Sequence, residues 1–213
     1  MPVKLYHNIL SAPCRAVMMC AKSIGLDLEE QSVDLFKGEQ MKPEFVAMNP
    51  CHCVPTIDED GFIMWESRAI NIYLNDKYSK TPDKLYPKDP KKRAKINMML
   101  QFDLTSYMPA IGGYVGPMLV GKKEPDDEAK QKLKDQLELF NKMLEGKNYV
   151  AGNELSLADF SLGGASGMLG MVGYDVSEYK NIVAWRDRMV ALPYVKDIQE
   201  RMMAAVAAMK ESS

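Results

Sequence analysis

Residues 54–78 read "VPTIDEDGFIMWESRAINIYLNDKY". Two short runs rich in β-formers, "VPTIDE" and "FIMW", flank Asp60-Gly61, a dipeptide that supplies the backbone of a tight hairpin turn. Directly behind them, Ala69, Ile70, Tyr73 and Leu74 recur at helical spacing from Ser67 onward. The stretch therefore predicts strand, strand, helix. Upstream, Val3 and Leu5, parted by Lys4, mark a strand, and "APCRAVMMCAKSIG" at 12–25 marks a helix with Val17, Cys20, Ala21 and Ile24 on one face. Pro13 is compatible with that helix because it lies in the first turn, and Gly25 is a natural stop. Val33 and Leu35 indicate a second strand. A βαβ unit followed by ββα specifies a small sheet with helices packed on it.

Downstream the pattern changes. "SKTPDKLYPKDP", residues 79–90, has three prolines and dense charge and reads as a linker. Beyond it strand signals vanish. "EAKQKLKDQLELFNKMLEG" places Leu133, Leu137, Phe140 and Leu144 on one stripe, while "NIVAWRDRMVAL" and "VKDIQERMMAAVAAMK" are helical as well. "SLADF" at 156–160 offers Ser156 as a cap with Asp159 three residues on. The plan is an α/β domain over 1–79, a linker over 80–90 and an all-α domain over 91–213.

The 213 residues suffice for two small domains that each bury a core. A formal net charge of −2 gives no general attraction to nucleic acid or anionic membranes. The basic run "PKKRAK" at 90–95 lacks interleaved aromatics and reads as the solvated face of a helix. No apolar run approaches a membrane span, and "MPVKLYHNIL" lacks the form of a signal peptide. Cys14, Cys20, Cys51 and Cys53 have no partner pair at zinc-like spacing, so free thiols in a reducing cytoplasm are expected and no metal.

Three stretches hold groups that chemistry can use. In "SAPCR", Ser11 stands where a helix N-cap belongs and Cys14 lies one turn inside. A thiol near a helix N-terminus is a potential nucleophile; a buried thiol is packing. In "NPCHCVPT", Pro55 cannot donate to a ladder, and a cis bond before it would leave the backbone N–H and C=O of Val54 to pair with an extended peptide. His52 could reach an anion; His7, after the first strand, reads as structural. In "WESRAI", Glu66 precedes a helix opening at Ser67, so a carboxylate beside an array of free N–H groups suits both charges of an α-amino acid.

"SAPCR", "NPCHCVPT", "DGFIMWESRAI", "YPKDPKKRA" and "SLADF" occur in the order and spacing of cytosolic glutathione S-transferases, and the chain resembles the insect-type delta class, with epsilon and theta as neighbours. The resemblance implies a thioredoxin-like N-terminal domain, an all-helical C-terminal domain and a homodimer. It implies Ser11 as the catalytic serine, donating to the glutathione sulfur. By the same resemblance His52, Cys53, Val54 and Pro55 hold the glycyl and cysteinyl parts of glutathione, and Glu66, Ser67 and Arg68 hold the γ-glutamyl end. Gln40 stands where many relatives carry a histidine that reaches the glycyl carboxylate. The acceptor site falls by position on Ala12, Pro13, Tyr107, Met108, Ile111 and Tyr114, and the Gly112-Gly113 pair predicts a wide or mobile wall.

The expected activity is conjugation of glutathione, a co-substrate rather than a cofactor, to small hydrophobic electrophiles in detoxification. Related enzymes also carry peroxidase or dehydrohalogenase activity, and the resemblance leaves open whether this chain has either. Two other readings stand beside conjugation: a non-catalytic module that binds glutathione or hydrophobic ligands, and a thiol oxidoreductase built on Cys14.

Overall fold

The computed structural model describes residues 2–121 and 123–211. Strands β1 (Val3–His7) and β2 (Leu28–Ser32) pair in parallel, connected by helix α1 (Ala12–Ser23). Strands β3 (Thr56–Glu59) and β4 (Phe62–Trp65) form the expected hairpin, with Asp60 and Gly61 both at positive φ. β3 also pairs antiparallel with β1, giving the sheet order β2-β1-β3-β4. Val3, Leu5 and Ile57 point into the core.

The second strand lies earlier than Val33 and Leu35 indicate. It runs over "LEEQS", with Glu29, Glu30 and Ser32 exposed or half-exposed, because β2 is a sheet edge. Charged side chains are how an edge strand avoids further pairing, and they erase the apolar alternation a reader looks for. Val33 still extends the contact: it is buried and its N–H donates to the His7 carbonyl at 2.8 Å.

Between β2 and β3 lie a 3₁₀ turn (Glu39–Met41) and the short helix α2 (Pro43–Met48). Helix α3 (Ser67–Tyr78) follows β4. The proline-rich stretch after it is docked against the fold. It contains a helical turn, α4 (Pro82–Leu85), and Leu85 and Tyr86 are buried. The Tyr86 hydroxyl donates to Asn97 at 2.8 Å, and the Arg93 guanidinium lies 4.3 Å above the Tyr86 ring.

The second half is helical: α5 (Pro90–Phe102), α6 (Met108–Val120), α7 (Asp127–Met143), α8 (Leu157–Met171), α9 (Lys180–Val190) and α10 (Pro193–Glu211). A π-helical turn, Asp103–Tyr107, joins α5 to α6. On α7 the stripe Leu133, Leu137 and Phe140 is fully enclosed. The start of α8 is the capping box read from "SLADF", and buried Asp159 also accepts from the Val150 N–H (2.9 Å) and the Trp185 indole (3.0 Å). Among the described residues no helix is long and apolar enough to cross a membrane.

α1 is enclosed on more than one face. Besides Val17, Cys20 and Ala21, it buries Ala12, Cys14, Arg15, Ala16, Met18 and Met19. α3, α8 and α10 pack on it, and Val3, Leu5 and Ile57 of the sheet belong to the same cluster, so one continuous core runs through both halves of the chain. A helix buried all round cannot show a clean amphipathic stripe.

Candidate functional site

Ser11 occupies the N-cap position of α1, in extended conformation (φ −75°, ψ 119°), yet its side chain makes no capping bond. Its backbone is fixed instead: the N–H donates to Asn8 O at 3.0 Å, and the carbonyl accepts from the Arg15 N–H at 3.1 Å. Asn8 pins the loop further, accepting from the Leu10 N–H and donating to Val33 O, both at 3.0 Å. The half-buried hydroxyl lies beside the Cys14 thiol. Cys14 itself is completely buried, and burial pushes its pKa up to about 11 against the opposing pulls of the Ser11 hydroxyl, the Asn8 backbone and the Arg15 charge. At neutral pH it is a packed thiol, which leaves the oxidoreductase reading without a nucleophile.

The second element is the loop before β3. Asn49, wholly buried, organises it: its amide nitrogen donates to Cys53 O (3.1 Å) and Thr56 Oγ1 (2.9 Å), and its oxygen accepts from the Cys51 N–H (2.9 Å). The Thr56 hydroxyl in turn donates to Cys53 O at 2.8 Å. The Val54–Pro55 bond is cis, and half-buried Val54 stands just outside the β3 ladder, without a backbone partner among the described residues. His52 is exposed at φ 41°, and Cys53 is half-buried.

The third element is the turn into α3. Glu66 is exposed and has φ 71° and ψ 96°, a backbone conformation that side chains rarely adopt and that collects at binding sites. Ser67 is buried, and no side chain caps this helix, so its first-turn N–H groups remain for a ligand carboxylate. Arg68 turns away from that turn. Its guanidinium pairs with Asp103 in the π-helical turn, and among the described residues the buried Arg68 Nε and Asp103 Oδ1 find no partner. Burial raises the Asp103 carboxyl above its ordinary range although Arg68 draws it down.

Gln40 lies in the 3₁₀ turn after β2, half-buried, with its Oε1 enclosed and without a partner among the described residues. His7 is buried with Nε2 3.3 Å from Glu30, and burial lowers its pKa, in keeping with a structural part.

The expected acceptor residues divide. Ala12 is buried and Pro13 half-buried at the start of α1, and Met108 and Tyr114 are half-buried on α6. Tyr107 and Ile111 are fully enclosed and stand behind the wall rather than on it. The Tyr107 hydroxyl meets Ser166 Oγ at 2.9 Å, and its ring packs 4.7 Å from Phe140. Tyr107 continues the buried stripe of Ile96, Met99, Leu100 and Asp103 and so faces the core at the end of the π-helical turn. Tyr174, which the sequence did not single out, sets its ring edge-on to Tyr114 at 5.2 Å.

Asn8, Asn49 and Asp103 are the polar supports that sequence reading missed. Asp103 had a signal: it falls on the stripe of Ile96, Met99, Leu100 and Tyr107, where an acid requires a buried partner. Two cavities lie elsewhere, about 320 Å³ between α5 and the loop before α8, and about 380 Å³ beside His7, Glu30 and Arg201; neither is bordered by Ser11, Val54 or Ser67. Among the described residues no group of three or more metal-binding side chains comes together.

Comparison with known proteins gives the family and the fold. Residues 1–76 match the family model of the glutathione S-transferase N-terminal domain, and residues 96–193 match that of the C-terminal domain. Among solved structures, a delta-class glutathione transferase of Nilaparvata lugens is 40% identical, with a TM-score of 0.89 over 98% of this chain and 100% of that one. The Bombyx mori glutathione transferase BmGSTD1 is 38% identical, with a TM-score of 0.90 over 97% and 98%. Glutathione transferase E6 of Drosophila melanogaster is 31% identical, with a TM-score of 0.89 over 98% and 96%.

Proposed function

This chain belongs to the glutathione S-transferase family, and from that premise we propose that Ser11 is the hydrogen-bond donor that holds the bound glutathione sulfur as a thiolate. The protein is a glutathione transferase, an enzyme of glutathione conjugation. The observation that carries the Ser11 assignment is its geometry: a hydroxyl at a helix N-terminus that caps nothing.

A free thiol has a pKa near 8.5, so only a few per cent is thiolate at pH 7. Lowering it by roughly 2 requires favouring the anion by about 2.7 kcal/mol. One hydrogen bond to a charged group contributes roughly 1.5–3 kcal/mol, and the α1 dipole adds to it. Serine is far too weak a base to take the proton, so Ser11 acts as donor. Cys14, held neutral, keeps its own proton and does not compete for the site as an anion.

The remaining assignments follow the ligand's chemistry. The Val54 backbone pairs with the cysteinyl unit, on the rigid turn made by Pro55 and the neighbouring Cys53. Glu66 takes the γ-glutamyl ammonium, and Ser67 with the first turn of α3 takes the carboxylate. Arg68 acts on that end through its pairing with Asp103. Gln40 and His52 serve the glycyl carboxylate. Electrophiles of apolar character lie against Pro13, Met108 and Tyr114, with Ala12 beneath, close enough to the sulfur for proximity to supply much of the rate. Peroxidase or dehydrohalogenase side reactions would draw on the same thiolate. A delta-class role in detoxification, a homodimer and a cytoplasmic location complete the proposal; the four cysteines, all free, suit a reducing compartment.

The test is conjugation of glutathione to an activated aryl halide. Turnover by the wild type and a loss of roughly 10- to 100-fold in Ser11→Ala are expected, the cost of one charge-assisted hydrogen bond. Binding heat with glutathione but no turnover would overturn the catalytic reading in favour of a binding module.

A further inference from the structure

Arg15 is a buried cation that the chemistry above leaves without a task. Its side chain enters α1 one turn after Ser11 and is only 2% exposed, yet no carboxylate pairs with it among the described residues. Its donors go to three backbone carbonyls. Nη1 reaches Ile9 O (2.9 Å) and Leu10 O (2.8 Å), the two residues immediately before Ser11, and Nη2 reaches Gly164 O on α8 (2.7 Å). Glycines line the face of α8 here, Gly164 against the α1 backbone and Gly167 in ordinary contact with the guanidinium. A Cβ at Gly164 would fall 2.5 Å from Ala12 O, and one at Gly167 would fall 3.6 Å from Arg15 Nη2.

Burying a guanidinium is costly, and an apolar side chain would fill this space with less penalty. Carbonyl dipoles satisfy its hydrogen bonds but do not cancel its net charge. Burial draws the pKa down to about 10, so the group remains cationic at neutral pH. A fixed positive charge bonded to the two carbonyls before Ser11 and buried against α8 acts through a medium of lower polarity than solvent.

We propose that Arg15 is the positioning residue of the sulfur site: it clamps the carbonyls of residues 9 and 10 so that Ser11 presents its hydroxyl, and its uncompensated charge favours bound thiolate over thiol. The proposal rests on the Ser11 assignment and extends it from one donor to a donor held by a buried cation.

Full-length Arg15→Gln, Arg15→Lys and Ser11→Ala distinguish the two. For each, the pKa of enzyme-bound glutathione is read from thiolate absorbance against pH, and kcat and KM for glutathione are measured separately. Arg15→Gln keeps polar donors and loses the charge; its bound thiol should rise in pKa by about one, a roughly tenfold loss of thiolate below neutrality, with KM little changed. Arg15→Lys keeps the charge but cannot bridge all three carbonyls; its pKa should stay near the wild type while kcat falls severalfold. An unchanged pKa in Arg15→Gln overturns the proposal. If Arg15→Gln does not fold, Arg15→Lys decides alone: a pKa raised by one or more, or an unaltered kcat, overturns it. A raised pKa in Ser11→Ala beside an unmoved Arg15→Gln defeats Arg15 and leaves Ser11 standing, whereas an unmoved Ser11→Ala defeats the Ser11 assignment itself.

Discussion

Ser11 and Cys14 sit three residues apart at the mouth of α1, and burial separates their chemistry. Ser11 is half-buried and its hydroxyl makes no capping bond, lying instead against the Cys14 thiol; that thiol is enclosed, and its anion is disfavoured up to about pH 11. Cys14→Ala should therefore leave aryl halide conjugation within about threefold of wild type and cost roughly 1 kcal/mol of stability through the small void. Steady-state kinetics and urea unfolding check this, and abolished conjugation would contradict it. At this scale the sequence marks the local backbone, with Ser11 before a helix, Pro55 before a strand and Glu66 at a helix mouth each standing at the element boundary its residue type suits. It was silent on Asn8 and Asn49, whose work is done by side chains bonded to backbone groups, and on the Arg68–Asp103 pair, whose members are 35 residues apart.

Elements were legible in proportion to how one-sided their burial is. The α7 stripe shows a single period, whereas edge strand β2 is charged and shows none. Glycines on α6 and α8 illustrate the same contrast. Gly113 is exposed on α6 with nothing within 4 Å of an added Cβ, while Gly164 abuts α1. Gly113→Ala should stabilise the fold by about 0.5–1 kcal/mol through the loss of backbone freedom in the unfolded chain. Gly164→Ala should destabilise it by about 1–3 kcal/mol through overpacking. Thermal unfolding of both checks the pair, and equal shifts in one direction would contradict it.

The hairpin is tied to α3 by Glu59. Burial pushes its carboxyl up, but donors from Lys77 (2.6 Å), Tyr73 and Tyr78 outweigh this and bring its pKa to about 2 from an ordinary 4.5. A carboxylate with a lowered folded-state pKa stabilises fully above its unfolded value and loses that contribution as pH falls toward the folded one. The stability difference between wild type and Glu59→Gln should hold steady at neutral pH and shrink as pH falls from 4.5 toward 2. Urea unfolding at stepped pH measures it, and a difference that stays constant through that window would contradict the account.

For the whole molecule, the switch of period near residue 80 told of an α/β half and a helical half. It did not tell that they share one core, because the joining contacts, such as Arg15 with Gly164, span 149 residues. That junction is also what gives the site its rigidity: α8 backs α1, and α1 presents Ser11. The claim on which the account turns is that Ser11 keeps the glutathione sulfur ionised. Its most direct measurement is the pKa of glutathione bound to the wild type and to Ser11→Ala, followed by ultraviolet thiolate absorbance across pH. The account predicts a wild-type value roughly 2 below that of the free thiol and a variant value raised by about one or more, short of the free thiol because Arg15 and the α1 dipole remain; identical values in the two proteins would contradict it.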